Sequence, residues 1–209
     1  MYIPRHFAKD DRAALDALIR DYAFGLLITC DEGRPFATHI PFVFDAGAGE
    51  NGTLLAHVSR ANPHWRGFDG TREALAIFQG PHAYVSPSWY ETKNAVPTWN
   101  YTAVHAYGRP RAMTEKEQTV GVLRRLIAEH ETKATGPWSM DGLPADYMDM
   151  MVKGIVAFEM PIDRLEGKFK LNQNKSEADR RGVARGLKAQ ADDPMALEVA
   201  RLVEAEIGG

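Results

Sequence analysis

Residues 85–101 are the part of the chain richest in groups that could bind a ligand. Their sequence, VSPSWYETKNAVPTWNY, carries Trp89, Tyr90, Trp99 and Tyr101 among prolines, hydroxyls and amides. Aromatic faces supply stacking area, while hydroxyls, amides and backbone groups hydrogen-bond the edge of a ring. No acid–base pair stands out at the centre of the segment. The pattern therefore favours the binding of a flat aromatic cofactor over hydrolysis.

A second candidate for ligand binding lies at residues 58–68, VSRANPHWRGF. A predicted strand ends there at Ser59 and Arg60, and Asn62 followed by Pro63 is typical of a helix start. A hydroxyl, a guanidinium and the free N–H groups of a helix N-terminus together suit a phosphate group. The alternative is that Asn62 only caps the helix and Arg60 is solvated. The sequence leaves both interpretations open.

Residues 168–176, KFKLNQNKS, form a basic and amide-rich segment directly before a predicted helix. Lys170, Gln173, Asn174 and Lys175 follow no helical or strand period, which suits a binding loop better than a core element. The following helix adds further basic residues, namely Arg180, Arg181, Arg185 and Lys188. A solvated helix face is the commoner explanation of such charges. The loop, rather than the helix, is therefore the candidate for binding an anion or a ring edge.

The seven histidines show no close metal-ligand spacing, so the sequence predicts no metal site. His39 and His57 lie in predicted strands, where a hydrogen-bonded sheet histidine is usual, although either could touch a cofactor edge. The chain contains no GxSxG or P-loop motif. The sequence therefore assigns no catalytic residue.

Composition indicates an ordinary soluble globular protein of 209 residues, with 44% hydrophobic and 25% charged residues. A net charge of −3 gives no general attraction to nucleic acid or to an anionic membrane. The single cysteine, Cys30, excludes an intrachain disulfide and fits a reducing compartment. Because no apolar window reaches the length of a membrane span, we expect a cytoplasmic protein.

Hydrophobic periodicity predicts a mainly β protein with peripheral helices and a helical C-terminus. A helix is expected over residues 11–22, and two strands over 24–30 and 35–44 should form a hairpin. Later strands are expected over 53–59, 74–80 with a continuation at 82–86, 98–108 and 154–160. Further helices are expected after a capping box at Thr114 and Glu117, over 144–153, after a cap at Ser176 with Asp179, and after Pro194. Short turn-linked strands favour an antiparallel sheet that closes or nearly closes into a barrel.

Several long motifs, found in order along almost the whole chain, together resemble the PaiB-like family of FMN-binding negative transcriptional regulators. They are MYIPRHF at the start, THIPF at 38–42, AHVSRANPHW at 56–65, YVSPSWY at 84–90, VPTWNY at 96–101 and KLNQNKS at 170–176. The resemblance implies one domain, residues 1–209, with a helical extension from about residue 176. Its implied fold is the FMN-binding split β-barrel of the pyridoxamine-phosphate-oxidase type, acting as a homodimer with FMN at the subunit interface.

The resemblance also implies which residues hold FMN. Ser59 and Arg60 would hold the phosphate with help from Asn62, and KLNQNKS would come from the partner subunit. The full set of implied cofactor-binding residues is Thr38, His39, Ile40, Pro41, His57, Ser59, Arg60, Asn62, Ser86, Trp89, Tyr90, Thr98, Trp99, Asn100, Tyr101, Lys170, Gln173, Asn174 and Lys175. The one departure from the expected motif is Asn172, where a small residue is more typical.

The resemblance implies two functions that the residues support unequally. FMN binding fits the residues described above. Repression by direct DNA binding is less well supported, because the strand-rich part of the chain shows no helix-turn-helix. Only the predicted helices at 176–190 and 194–207 resemble a DNA-reading pair, and the second is acidic. An indirect effect on transcription is therefore favoured over direct DNA binding. Two alternatives remain: an FMN-dependent oxidoreductase acting on a small substrate, and a haem-binding split barrel with His39 or His57 as axial ligand.

Overall fold

Eight β-strands and five α-helices make up the described part of the chain in the computed structural model, which covers residues 1–131, 135–136 and 138–208. The strands are β1 (Phe24–Asp31), β2 (Arg34–Pro41), β3 (Val43–Asp45), β4 (Thr53–Ser59), β5 (Ala74–Val85), β6 (Thr98–Gly108), β7 (Arg111–Ala112) and β8 (Ile155–Lys170). The helices are α1 (Arg12–Asp21), α2 (Lys116–His130), α3 (Ala145–Lys153), α4 (Glu177–Lys188) and α5 (Pro194–Gly208). Within these residues, no helix is both long enough and apolar enough to cross a membrane.

The strands form one antiparallel sheet in the order β2-β1-β5-β6-β8-β4-β3, with β7 paired to β8 beside this path. The predicted mainly β fold with peripheral helices is thus confirmed. Strand β2 stands at one end of the order, and in the described residues it pairs only with β1. One edge of β2 therefore has no strand partner, which leaves its outward backbone groups available to a ligand.

The hairpin of β1 and β2 is confirmed, with every residue paired from Phe24 opposite Pro41 to Asp31 opposite Arg34. Its two-residue turn consists of Glu32 and Gly33, whose φ angles are 49° and 75°. Positive φ at both central residues is the requirement of the tight turn that matches strand twist. Gly33 meets this requirement without strain because it has no Cβ.

The chain divides into two compact units. The central unit comprises Asp16–Phe78 and His105–Leu165, and the terminal unit comprises Met1–Leu15, Gln79–Val104 and Glu166–Gly209. In the central unit the core contains a chain of aromatic rings. Phe42 packs edge-on against Phe78 at 5.3 Å between ring centroids, and Phe68 lies 4.6 Å from Phe158. Such pairs add to the stabilisation that comes from burying their apolar area.

The terminal unit has its own core, in which α4 and α5 bury small and branched side chains. Val183, Leu187, Val199 and Val203 are all fully buried. The side-chain oxygen of Ser176 accepts a 3.1 Å hydrogen bond from the Asp179 backbone N–H, so the predicted cap of α4 is confirmed.

Three sequence predictions need correction at element boundaries. Strand β8 runs 16 residues from Ile155 to Lys170, far beyond the predicted end at residue 160. The capping box of α2 uses Glu115 and Gln118, one residue later than predicted. The predicted strand over 35–44 is two strands, because β2 ends at Pro41 and β3 begins at Val43.

Candidate functional site

The implied cofactor-binding residues fall into two groups, one in each unit. The central unit holds Thr38, His39, Ile40, Pro41, His57, Ser59, Arg60 and Asn62. The terminal unit holds Ser86, Trp89, Tyr90, Thr98, Trp99, Asn100, Tyr101, Lys170, Gln173, Asn174 and Lys175. Each group has its own geometry and is described by itself.

In the central unit, the turn after β4 is organised by its own side chains. The Ser59 Oγ accepts a 3.3 Å bond from the Ala61 N–H, and the Ser59 carbonyl accepts a 2.9 Å bond from the Asn62 N–H. Asn62 Oδ1 accepts the N–H of His64 at 3.0 Å and caps a short 3₁₀ helix, Pro63–Gly67. The predicted helix start is therefore confirmed, although a single 3₁₀ helix of this length offers few free N–H groups.

Arg60 is exposed, yet its guanidinium is held in place by backbone carbonyls. Its Nε donates to the Lys153 carbonyl oxygen at 2.6 Å, and its Nη2 donates to the Ile155 carbonyl oxygen at 2.8 Å. The Trp65 ring centroid lies 5.8 Å from the guanidinium carbon. Because these bonds use only part of the five-donor fork, the remaining Nη1 and Nη2 hydrogens are available to an anion.

His64 links the turn after β4 to the first two strands. Its Nε2 lies 2.8 Å from Thr29 Oγ1 and its Nδ1 lies 2.9 Å from Thr38 Oγ1. Asn62 Nδ2 also donates to Thr38 Oγ1, at 3.1 Å. Burial lowers the pKa of His64 to about 4, so the ring is neutral at neutral pH and donates from one nitrogen while it accepts at the other.

The proposed flavin-edge segment of β2 has alternating exposure. Thr38 and Pro41 are half-buried, His39 is exposed and Ile40 is buried. The His39 ring is stacked with Phe24 at 6.4 Å between centroids and 22° between planes. The segment therefore presents both a flat aromatic surface and the unpaired edge of β2.

His57, on β4, is half-buried, and its Nδ1 is enclosed without a hydrogen-bond partner in the described residues. Burial lowers the pKa of this imidazole, which favours the neutral ring. Its Nδ1 reaches no solvent in this arrangement, so His39 presents the more accessible imidazole of the two.

In the terminal unit, Trp89 and Tyr90 join the YVSPSWY segment to the residues after β8. Asn172 Nδ2 donates to the Tyr90 hydroxyl at 2.8 Å, and the Lys175 ammonium lies 5.4 Å from the Tyr90 ring centroid. The Trp89 ring packs so closely on α4 that a Cβ at Gly186 would approach it to 2.2 Å. These two aromatic residues therefore have structural contacts of their own.

The segment after β8 is braced by one of its own amides. Gln173 Oε1 accepts the Leu171 N–H at 2.8 Å, and Gln173 Nε2 donates to the Phe169 carbonyl oxygen at 2.6 Å. Asn172 has a φ of 63°, a left-handed conformation that asparagine tolerates better than most residues. Asn174 is exposed.

Two lysines at the end of β8 are close enough to affect each other's charge. Lys170 donates to Thr98 Oγ1 at 2.5 Å, and its pKa is lowered by burial and then by the nearby charge of Lys168. Lys168 is only 8% exposed and donates to the Tyr2 carbonyl oxygen at 3.0 Å, with the Tyr101 ring centroid 5.2 Å away. Buried ammonium groups are normally paired with a negative charge, so this pair is a second candidate for anion binding.

Strand β6 places buried polar groups beside an exposed aromatic residue. Asn100 and Thr102 are fully buried, and neither amide atom of Asn100 nor the Thr102 hydroxyl has a hydrogen-bond partner in the described residues. Trp99 is 53% exposed, and its ring lies 6.1 Å from that of Tyr84. Ser86 Oγ caps a short 3₁₀ helix by accepting the Ser88 N–H at 3.2 Å.

Sequence reasoning missed two residues that organise these groups. His64 directly follows the predicted Asn62-Pro63 helix start, but an isolated histidine carries no signal of burial. Lys168 and Lys170 carry the same charge and lie two positions apart, so the sequence does not distinguish them. Only the structure shows that Lys168 is the more buried of the two. Within the described residues, no group of three His, Cys, Asp or Glu side chains is placed to hold a metal ion.

Residues 1–164 match the sequence family described as "Putative FMN-binding domain". Over 207 residues, 99% of this chain and 98% of the relative, the chain is 34% identical to the protease synthase and sporulation protein PAI 2 of Bacillus subtilis. The chain belongs to the PaiB-like family of FMN-binding proteins.

Solved structures similar to this PaiB-like protein show the same fold. The flavocytochrome Anf3 from Azotobacter vinelandii has a TM-score of 0.59 at 14% identity, over 86% of this chain and 78% of that one. The FAD and haem binding protein from Mycobacterium smegmatis has a TM-score of 0.56 at 16% identity, over 78% and 73% of the two chains. The predicted split barrel is thereby confirmed.

The residues of this PaiB-like protein fit FMN, the cofactor of its family. A phosphate requires donors, which the oriented guanidinium of Arg60 and the exposed hydroxyl of Ser59 supply. The isoalloxazine requires a flat surface and hydrogen-bonding groups for its edge, which the unpaired edge of β2 and the exposed His39 ring supply.

Proposed function

We propose that this protein holds FMN with its phosphate at Ser59 and Arg60 and its ring along residues 38–41 of β2. The observation that carries this placement is the guanidinium of Arg60, which two backbone carbonyls fix in position while part of its donor fork stays free. A donor that is already oriented loses little entropy when it binds its ligand. Bound FMN supplies hydride and electron transfer, and the protein's residues bind and orient it.

We also propose that the protein is a homodimer in which the partner subunit completes the flavin site. The neighbouring Lys168 and Lys170 support this idea, because their ammonium groups have no carboxylate partner within the described residues and so suit the negative charge of a ligand shared between copies. The candidate residues Gln173, Asn174 and Lys175 follow directly in the same segment. The single cysteine supports our further proposal of a cytoplasmic location.

An effect on transcription, implied by the resemblance, is proposed to be indirect. Two of the four basic residues of α4 are compensated, since Arg181 pairs with Glu177 and Lys188 pairs with Glu204, each at 2.6 Å. On α5, Arg201 pairs with Glu198. Cations already engaged by carboxylates give little net attraction to DNA phosphates. A labelled duplex from the protein's own promoter should therefore show no binding in fluorescence anisotropy at about 50 mM salt, where phosphate contacts are strongest.

A second candidate function, FMN-dependent oxidoreductase, is favoured by a pocket of about 410 Å³ that lies next to the proposed flavin segment in the central unit. Phe36 lines this pocket, and its side chain stands on the same face of β2 as that of Thr38. A small substrate bound there would lie against the same strand, β2, as the proposed ring position.

The visible absorption spectrum of the purified protein, before and after adding FMN and then haem, tests these proposals. A flavin spectrum altered on binding, with saturation at one FMN per chain, is the expected result and would justify a screen for NAD(P)H oxidation. A Soret band without flavin uptake would instead support haem binding, with His39→Ala as the variant expected to remove it. A spectrum that changes with neither FMN nor haem would contradict the proposed site.

A further inference from the structure

The pocket beside β2 has the lining of a small-molecule site. Its walls come from the end of β1, from β2, from the 3₁₀ helix after β4 and from the segment before β5, and its volume of about 410 Å³ lies in the range of ligand pockets. The lining residues are Thr29, Cys30, Asp31, Phe36, Pro63, His64, Arg66, Gly67 and Arg72. All of them belong to the central unit, and none belongs to the implied cofactor-binding set.

The two arginines that line the pocket differ in whether a carboxylate pairs with them. Arg72 is already compensated, because its Nη1 lies 2.7 Å from Asp31 Oδ1 and its Nε lies 3.7 Å from Asp69 Oδ2. Arg66 is exposed and has no hydrogen bond or ion pair within residues 1–131, 135–136 and 138–208. The cation that remains to be paired at this pocket is therefore Arg66.

The rest of the lining is apolar or neutral. Phe36 is 40% exposed, and its ring makes an edge-type contact with that of His64 at 4.8 Å between centroids, which helps to fix its orientation. Pro63 adds an apolar surface from the 3₁₀ helix. His64, held neutral by burial, contributes polarity without charge, and its bonds to Thr29 and Thr38 fix the base of the pocket.

We propose that this pocket binds a small organic anion, whose flat apolar body lies against Phe36 and Pro63 and whose carboxylate or phosphate pairs with Arg66. A flat body suits the aromatic and proline walls, and a single negative charge matches the single uncompensated guanidinium. The role of this anion as the substrate of a flavin reaction rests on the proposed function. Its binding rests on the pocket alone.

Binding is tested with benzoate, phenyl phosphate and the neutral benzamide, by amide chemical shifts in the ¹⁵N-labelled protein, both free of FMN and saturated with FMN. We expect benzoate or phenyl phosphate to shift resonances of Thr29, Gly67 and their neighbours in both samples, and benzamide to bind at least about fivefold more weakly. FMN uptake is followed separately by absorption, so a failure of the flavin proposal is visible independently of the pocket.

Two variants complete the test. Arg66→Gln should weaken benzoate binding by about tenfold, whereas the control Arg201→Gln on α5 should leave it unchanged. Shifts that are absent with both anions, that persist equally in Arg66→Gln, or that FMN displaces would each overturn the proposal. The last result would instead assign the pocket to the flavin itself.

Discussion

Arg60 shows how a single residue can be prepared for its ligand by the fold. A free arginine side chain loses rotamer entropy when it binds a phosphate, but the carbonyls of Lys153 and Ile155 have already restricted this one. The same bonds orient the planar fork, so the hydrogens left over point from a fixed position. Arg60 is thus solvent-exposed and also held in place. Its role in binding the phosphate stays a prediction.

Replacing Arg60 by alanine should weaken FMN binding. Charge-assisted hydrogen bonds contribute about 1.5–3 kcal/mol, so the dissociation constant should rise by about tenfold to a hundredfold. Flavin fluorescence quenching in a titration measures the effect. Arg201→Ala, which removes a guanidinium paired with Glu198 on α5, is the matched control and should bind FMN as the native protein does. Equal affinity in Arg60→Ala would remove this residue from the phosphate site.

The buried His64 should make the stability of the protein fall in mildly acidic solution. Its folded pKa of about 4 is below the unfolded value near 6.5, so in this window the unfolded chain binds a proton that the folded chain does not. Stability that is fully present above pH 6.5 should decrease by about 3 kcal/mol as the pH falls to 4.

Urea unfolding at several pH values between 4 and 7 measures this contribution of His64. In His64→Gln, which keeps a polar side chain without a proton that titrates, the decrease should be smaller by that amount. His130→Gln, at an exposed position at the end of α2, should retain the full decrease. Identical pH profiles for the native protein and His64→Gln would contradict the assignment of a neutral buried ring.

At the scale of elements, α4 is shaped by what it packs against. Two of its residues are glycines, which lower helix propensity, and both face Trp89. A Cβ at Gly182 would lie 2.0 Å from the Trp89 carbonyl oxygen, and one at Gly186 would lie 2.2 Å from its ring. The close approach of this aromatic residue therefore explains why the helix contains glycine at these two positions.

Gly186→Ala should destabilise the protein by about 1–3 kcal/mol, because the added methyl group forces the Trp89 ring out of its place. The matched control is Gly121→Ala in α2, where a Cβ meets no atom within 4 Å. There the better helix propensity of alanine should stabilise the protein by about 0.5–1 kcal/mol. Urea unfolding measures both effects. A stabilising Gly186→Ala would show that Trp89 does not occupy this position.

Asp179 fixes the loop after Trp89 to the same helix. This buried carboxylate accepts the N–H groups of Glu91 and Thr92 at 2.9 and 3.0 Å and the Thr92 hydroxyl at 2.7 Å. The hydrogen bonds from Thr92 are the main reason that the pKa of Asp179 is lowered. Trp89 and Tyr90 thus belong to a braced segment rather than to a free loop.

The elements were largely predictable from sequence because most of them carry a strong local pattern. The β1–β2 hairpin and the Ser176 cap depend on residues within a few positions, and both were predicted correctly. Strand β8 was predicted too short because Pro161, Asp163 and Arg164 break the apolar alternation. Its continuation depends on distant partners, such as the bridge between Ala8 and Lys168, which a local pattern does not contain.

The candidate site was less predictable than the fold for a related reason. Motif residues mark where a family places its chemistry, but they do not separate ligand contacts from internal contacts. Tyr90 and Gln173 proved to have hydrogen bonds within the chain, whereas Arg60 keeps free donors. The pocket lined by Arg66 arises from four separate segments, so no single stretch of sequence indicates it.

At the scale of the whole molecule, the exposed aromatic residues of β5 and β6 favour self-association. Tyr84 is 46% exposed and Trp99 is 53% exposed, while the rings of His82 and Trp99 lie 6.3 Å apart. Large aromatic side chains that contact one another at a surface are typical of the buried centre of an interface. A second copy of the chain is the partner that the resemblance implies.

If the proposed homodimer buries this surface, Trp99→Ser should shift the protein from dimer to monomer. Burial of one aromatic side chain at an interface centre contributes about 2 kcal/mol or more, so the dimer dissociation constant should rise by about thirtyfold or more. Sedimentation velocity over a range of concentrations measures the change. Trp138→Ser is the matched control, because Trp138 is 50% exposed but lies in the central unit, away from β5 and β6 in sequence.

If the partner subunit completes the flavin site, Trp99→Ser should lose FMN affinity at the concentrations where it is monomeric and regain it where it is dimeric. A native protein that sediments as a monomer with FMN bound would contradict the shared site, because one copy would then be sufficient to hold the cofactor.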